Sequence, residues 1–187
     1  MNKKTIIIWI IVGSVIGLAI IFVSVKGLQN LNSGSNVGIQ NKNKNKATAP
    51  GANIIGKEGV VLTPEGKPAR NDVAPGSPDA PKQTLSLSEK EIPKDSVKLV
   101  MSTGKITPGN FTVKAGSIIT LTLSAGDVAA HIFRFRDPAL EAIAAGISPD
   151  ETRAVTFNAP KKPGEYEFYC DSLKHADLGE RGVMTVK

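Results

Sequence analysis

The C-terminal half of this 187-residue chain is predicted to be all-β, a sandwich or barrel of about seven short strands. Two observations predict it. Short segments with alternating or β-branched residues recur through residues 97–186, and turn residues separate them every 8–12 positions or so. The predicted strands are Val97–Met101, Phe111–Val113, Ser117–Ser124, His131–Arg136, Ala154–Asn158, Glu165–Cys170 and Gly182–Val186.

Each strand has its own signal. Ser117–Ser124 (SIITLTLS) is rich in β-branched residues, whereas His131–Arg136 (HIFRFR) and Glu165–Cys170 (EYEFYC) alternate between apolar and polar residues. Turns are predicted where Pro and Gly follow one another, as in Thr107–Asn110 and Lys162–Gly164.

One short helix is expected to interrupt the strands. Asp137 is a suitable cap, Pro138 suits the first helical position, and Gly146 is placed to end a helix over PALEAIAA. The sequence therefore predicts one or two helical turns in this stretch.

Residues 1–26 are predicted to be an N-terminal membrane anchor. Thr5–Val25 form a 21-residue run without a charged side chain. As a helix it would measure about 31 Å, close to the roughly 30 Å hydrocarbon core of a bilayer. The alternative is a signal sequence, but the run is longer than a usual signal core and no A-x-A cleavage pattern follows directly after it. Lysines on both sides leave the orientation open from charge alone.

Residues 27–95 are predicted to be a flexible linker, and residues 96–187 the single folded domain. The stretch from Pro50 to Pro93 holds 7 of the 12 prolines and almost no aromatic residues. Such a composition buries too little apolar surface to offset chain entropy. A short strand or turn near Gly59–Leu62 that docks on the domain is the alternative.

The charge distribution argues against a nucleic-acid partner. Residues 96–187 hold 11 Lys and Arg against 10 Asp and Glu, whereas residues 1–95 hold 12 against 7. A nucleic-acid-binding domain is expected to carry a basic face with aromatic residues, and this domain is nearly neutral.

Three residues carry the predicted chemistry. Cys170 ends a predicted strand, His175 follows five residues later, and His131 opens an earlier strand; they are the only Cys and His residues of the chain. One thiolate and two imidazoles form the ligand set of mononuclear copper electron-transfer sites. Taken singly, each has another interpretation: a free Cys is often a small buried hydrophobe, and His131 could be a core histidine.

Residues 97–187 resemble a small cupredoxin of the plastocyanin, amicyanin and azurin type. The resemblance is carried by Thr112–Gly116 (TVKAG), by Ile119–Leu123, by Pro163–Cys170 (PGEYEFYC) and by the segment CDSLKHADLGERGVMTV that follows from Cys170. It implies a Greek-key sandwich and one copper ion bound by His131, Cys170 and His175.

Two positions differ from the family pattern. Ile132 stands where the family often has an Asn whose amide braces the cysteine loop. Glu180 aligns with the axial Met, and Met184 falls on the closing strand. The fourth ligand is therefore Glu180, Met184 or no protein group; a carboxylate there, as in the red copper protein nitrosocyanin, would stabilise Cu(II) and lower the potential.

The predicted function is electron transfer by a single-pass membrane protein with its domain on the extracytoplasmic face. It would cycle between Cu(I) and Cu(II) and serve an unidentified redox partner protein. The alternatives are a copper buffer or delivery protein, and an interaction module with no metal. An enzyme is the least favoured class, since outside the copper set the sequence shows no Ser/His/Asp set or phosphate-binding loop.

Overall fold

A computed structural model of the chain describes residues 53–187. Within this part the chain forms eleven β-strands, almost all of them short. Their bounds are β1 Ile54–Ile55, β2 Val61–Leu62, β3 Val97–Ser102, β4 Lys105–Thr107, β5 Asn110–Val113, β6 Ile118–Ala125, β7 His131–Phe135, β8 Ala144–Ile147, β9 Thr152–Asn158, β10 Gly164–Cys170 and β11 Arg181–Val186.

Nine of these strands form the two sheets of a sandwich. One sheet has the order β5-β11-β10-β7-β8 and the other has the order β4-β3-β6-β9, while β1 and β2 pair separately. The all-β sandwich predicted from the sequence is confirmed. All seven predicted strands are present with ends that differ by two residues at most, and the two additional strands of the sandwich are β4 and β8.

Aromatic side chains join the two sheets across the core. Phe135 of β7 lies with its ring centroid 5.3 Å from that of Phe133, 6.1 Å from Phe168 and 6.0 Å from Phe157. Phe157 belongs to the four-stranded sheet and the other rings to the five-stranded sheet. All four are buried, so alternate residues of the strands provide a continuous apolar interior.

The predicted helix after Asp137 is reduced to a single 3-10 turn, Pro138–Leu140. Asp137 does cap it, because its side chain accepts a hydrogen bond of 2.8 Å from the N–H of Ala139. The residues expected to continue the helix instead form β8, in which Gly146 pairs with Ile132 of β7. Pairing with β7 and the burial of Ile147 outweigh the local helix preference of an Ala-rich segment.

The described part of the predicted linker, residues 53–95, is folded against the sandwich. The N–H of Thr84 donates to the carbonyl of Ala154 at 2.8 Å, and the N–H of Leu87 donates to the carbonyl of Thr152 at 2.7 Å. The hydroxyl of Thr84 accepts in turn from the N–H of Ala154. This segment therefore runs along the edge of β9 that β6 leaves unpaired.

The hairpin of β1 and β2 is attached near the end of the same strand. The side chain of Asn158 accepts from the N–H of Val61 at 2.9 Å and donates to the carbonyl of Gly59 at 2.8 Å. Asn53 donates to the carbonyl of Thr156 at 2.6 Å. Three apolar side chains of residues 53–95 are also buried, namely Val61, Ala80 and Leu87. The structure thus differs from the predicted boundary at residue 96, because these contacts extend the folded region upstream.

Within residues 53–187, no helix combines the length and the apolar character that crossing a membrane requires. The predicted anchor, residues 1–26, and the linker up to residue 52 lie outside the described residues.

Leu87 and Leu85 form a matched pair for testing this attachment. Leu87 is 8% exposed and Leu85 is 65% exposed. We expect Leu87→Ala to lower the free energy of unfolding by about 2 kcal/mol, because it removes methyl groups that are buried in the folded protein. Urea unfolding of residues 46–187, followed by circular dichroism, measures this change. Leu85→Ala is the control and should be nearly neutral; equal losses for both variants would contradict the attachment.

Candidate metal centre

The order of the strands brings the four predicted ligand residues to one end of the five-stranded sheet. Strand β10 lies between β7 and β11 and is antiparallel to both. The last residue of β10, Cys170, is therefore close to the first residue of β7, His131, and to Glu180, which immediately precedes β11. His175 lies in the loop between Cys170 and Glu180.

The distances among these side chains fit one metal ion. The Sγ atom of Cys170 lies 3.9 Å from Nδ1 of His131 and 3.6 Å from Nδ1 of His175. Bonds of about 2.3 Å to sulfur and 2.0 Å to nitrogen at a tetrahedral angle place such atoms about 3.5 Å apart. One ligand atom from each of the four residues lies within 4.8 Å of the others.

The carboxylate of Glu180 lies between the two imidazoles. Its Oε1 is 2.6 Å from Nδ1 of His131, and its Oε2 is 2.9 Å from Nδ1 of His175. The second contact has an ion-pair distance but lacks hydrogen-bond alignment, and the buried Oε2 has no hydrogen-bond partner. Because a buried, unsatisfied carboxylate oxygen is costly, this atom is suited to accept a cation.

The site is closed to solvent on almost every side. Glu180 is fully buried, His131 and Cys170 are each 1% exposed, and His175 is 9% exposed. A donor set of one sulfur, two nitrogens and one carboxylate oxygen in a buried position matches the mixed soft and borderline ligands that copper accepts. The residues present therefore fit the copper ion that the sequence predicts.

Backbone hydrogen bonds fix the loop from Cys170 to Glu180. The N–H of Cys170 donates to the carbonyl of Glu180 at 3.0 Å, and the N–H of Glu180 donates to the carbonyl of His175 at 3.1 Å. Gly179 has a φ of +105°, and a Cβ there would meet the carbonyl oxygen of Gly104 at 3.0 Å. The β3–β4 turn thus packs directly on this loop. A larger residue at position 179 would push the turn and the loop apart.

Ile132 contributes its backbone to the site. Its N–H points at the Sγ of Cys170 at 3.4 Å, while its side chain is 41% exposed. The side chain at the position of the family's Asn therefore does not brace the cysteine loop.

Asp127 is a residue of this site that sequence reasoning missed. Its Oδ1 lies 3.0 Å from Nε2 of His131, the ring nitrogen that faces away from Cys170. N–H groups of Thr103 and Ala129, together with His131, hold the pKa of Asp127 well below its ordinary value. Asp127 is therefore ionised and can only accept, so Nε2 of His131 is the donor. The four-residue spacing to His131 was the one available signal, and in a loop it does not imply contact.

Met184 lies away from the centre. It pairs with Tyr166 in the β10–β11 ladder, four positions from Cys170, or about 13 Å along the strand. Its side chain is buried in the hydrophobic core. Among the alternatives for a fourth ligand, the geometry therefore favours Glu180.

Burial raises the pKa of the Cys170 thiol to about 11, and the Glu180 carboxylate adds to this effect. The N–H groups of Ile132 and Ser172 act in the opposite direction. The thiol therefore keeps its proton at neutral pH, and a bound metal must replace that proton.

Comparison with known proteins gives one family match. A family model described as a cupredoxin-like domain matches residues 82–186. Among solved structures, a dithionite-reduced auracyanin from Roseiflexus castenholzii is 24% identical over 49% of this chain and 96% of its own, with a TM-score of 0.43. An amicyanin from Paracoccus versutus is 24% identical over 55% of this chain and 92% of its own, with a TM-score of 0.42. No curated protein matches the chain.

Replacing Glu180 tests its contact with the metal. In copper-loaded protein, Glu180→Gln should raise the reduction potential and change the ratio of the visible charge-transfer bands, because it removes a negative oxygen that stabilises Cu(II). Potentiometry and absorption spectroscopy measure both effects. Met184→Leu is the matched control and should leave both values unchanged; a shift in Met184→Leu with none in Glu180→Gln would show that the ligand choice is wrong.

Proposed function

The chain belongs to the cupredoxin-like domain family, and on this basis we propose that it is a membrane-tethered copper protein that transfers electrons outside the cytoplasm. The observation that carries the proposal is the buried set of Cys170, His131 and His175 at one end of the sandwich. Cys170 ends β10, His131 begins β7 and His175 lies in the loop that follows β10, and together they provide the ligands of a mononuclear copper site.

Copper bound there would supply one-electron chemistry, since it alternates between Cu(I) and Cu(II). The chain's own residues would hold it by Nδ1 of His131, Nδ1 of His175 and the thiolate of Cys170, with Glu180 as the fourth group. Because the N–H of Ile132 points at the sulfur, it would also stabilise the thiolate.

Rigidity of the ligand set supports electron transfer. His131 and Cys170 belong to paired strands, and the carbonyl of Glu180 accepts from the N–H of Cys170. Side chains held in this way change position little when the charge of the ion changes, which keeps reorganisation small. Burial of all four residues also excludes water, and this closed environment favours an electron carrier over an enzyme that must admit a substrate.

Three exposed apolar residues lie close in the sequence to residues of the site. Val128, Leu173 and Leu178 are exposed and lie in the loops that carry Asp127, His175 and Glu180. Exposed apolar residues beside a partly accessible His175 suit brief contact with a redox partner protein, through which electrons would enter and leave.

Copper addition tests the proposal directly. Cu(II) added to the protein should produce visible thiolate-to-copper absorption and a copper electron paramagnetic resonance spectrum, and stopped-flow mixing of oxidised and reduced protein should show rapid electron exchange. Cys170→Ser should abolish the absorption, because it removes the thiolate. If the unaltered chain bound copper no more tightly than Cys170→Ser does, the chain would instead be an interaction module without a metal. Slow exchange with ready release of copper to a chelator would favour copper handling.

The tether is proposed from the sequence alone. Thr5–Val25 have the length and apolar character of a membrane-spanning helix. We expect the full chain to stay in the membrane pellet after carbonate extraction, and a chain beginning at residue 46 to be released. Release of the full chain, or recovery of a product shortened near residue 26, would indicate a cleaved signal sequence instead.

A further inference from the structure

We propose that Asp127 is a positioning residue of the metal site that fixes the ring of His131. Asp127 would hold His131 from the ring nitrogen opposite to the ligand nitrogen. This inference deepens the proposed function and rests on it, since it assigns a role to Asp127 in copper binding. Its basis is the contact of 3.0 Å between Oδ1 of Asp127 and Nε2 of His131.

The contact determines which nitrogen of His131 is available to a metal. The Asp127 carboxylate, which already accepts from two backbone N–H groups, also accepts the Nε2 proton, so Nδ1 is the ring nitrogen that is left for a metal. Nδ1 is the nitrogen that faces Cys170 and Glu180. Asp127 therefore selects the binding tautomer and also fixes the rotation of the ring.

Asp127 is itself held in place from two sides. Its Oδ1 accepts from the N–H of Ala129 at 2.9 Å, and its Oδ2 accepts from the N–H of Thr103 at 2.7 Å. Thr103 lies in the β3–β4 turn of the four-stranded sheet, whereas His131 begins β7 of the five-stranded sheet. One carboxylate thus connects a ligand of one sheet to a turn of the other.

The same turn contacts the loop that carries the fourth group. Gly104 follows Thr103, and a Cβ at Gly104 would lie 3.1 Å from the carbonyl oxygen of Leu178. The turn that holds the Asp127 carboxylate therefore also packs against the loop from His175 to Glu180. Hydrogen bonds of this kind to a ligand histidine are typically worth 10- to 100-fold in metal affinity.

Three variants of the full chain in detergent separate the contact with His131 from the contact with the turn. Asp127→Ser keeps a short acceptor for the N–H of Ala129 but does not reach His131. Asp127→Asn is the conservative variant, since its amide oxygen can still accept from Nε2. Thr103→Pro removes the N–H that meets Oδ2 and the Thr103 hydroxyl that also interacts with Asp127, but not the contact with His131. Gly104 has a φ of +82°, as at the third position of a type II turn, in which Pro is favoured at the position of Thr103.

The first measurement is Cu(I) affinity by competition with a chelator. Asp127→Ser should bind roughly 10- to 100-fold more weakly than the unaltered chain, Asp127→Asn should recover most of the loss, and Thr103→Pro should bind like the unaltered chain. Equal affinity in Asp127→Ser and the unaltered chain would overturn the inference. A loss in Thr103→Pro as large as that in Asp127→Ser would also overturn it, because the carboxylate would then act only by joining loops.

The second measurement needs no variant. Long-range nitrogen–proton NMR of the metal-free, unaltered chain should show a proton on Nε2 of His131, and His175 provides the second set of signals for comparison. An Nε2 without a proton would overturn the inference even if Asp127→Ser failed to fold. If the unaltered chain bound no copper but kept this proton, the proposed function would fail separately from the contact between Asp127 and His131.

Discussion

The fully buried carboxylate of Glu180 is the interaction on which the arrangement of the site depends. A carboxylate in this position is costly to bury unless polar groups surround it, and Nδ1 of His131 and Nδ1 of His175 lie 2.6 and 2.9 Å from its two oxygens. Its own N–H and carbonyl are bound within the loop that begins at Cys170. Glu180 therefore holds the loop in two ways, through the hydrogen bonds of its backbone and through its buried side chain.

The sandwich could be predicted because its strands carry strong local patterns. β6 is rich in β-branched residues, and β7 and β10 alternate between buried and more exposed positions. β8 could not be predicted in this way, since its sequence (AAGI) has no strand pattern and lies within a good helical one. Its conformation follows from the neighbouring β7, and such tertiary effects are not visible in a local sequence window.

The candidate ligands could be predicted from the sequence for a different reason. His131, Cys170 and His175 are the only residues of their types, so few combinations had to be considered. Asp127 is one of many acidic residues, and its contact with His131 depends on the path of a loop. The folded state of residues 53–95 was also difficult to predict, because its buried apolar residues Val61, Ala80 and Leu87 are few and far apart in a segment rich in proline.

The pairing of residues 83–87 with β9 has a consequence for shortened forms of the protein. Without this segment, the carbonyl groups of Thr152 and Ala154 and the N–H of Ala154 would lose their partners. An open strand of this kind offers its hydrogen-bonding groups to any other extended chain, including a second molecule of the same protein. A chain cut at residue 96 would therefore keep its metal ligands and yet be prone to self-association, so the segment that covers β9 contributes to solubility.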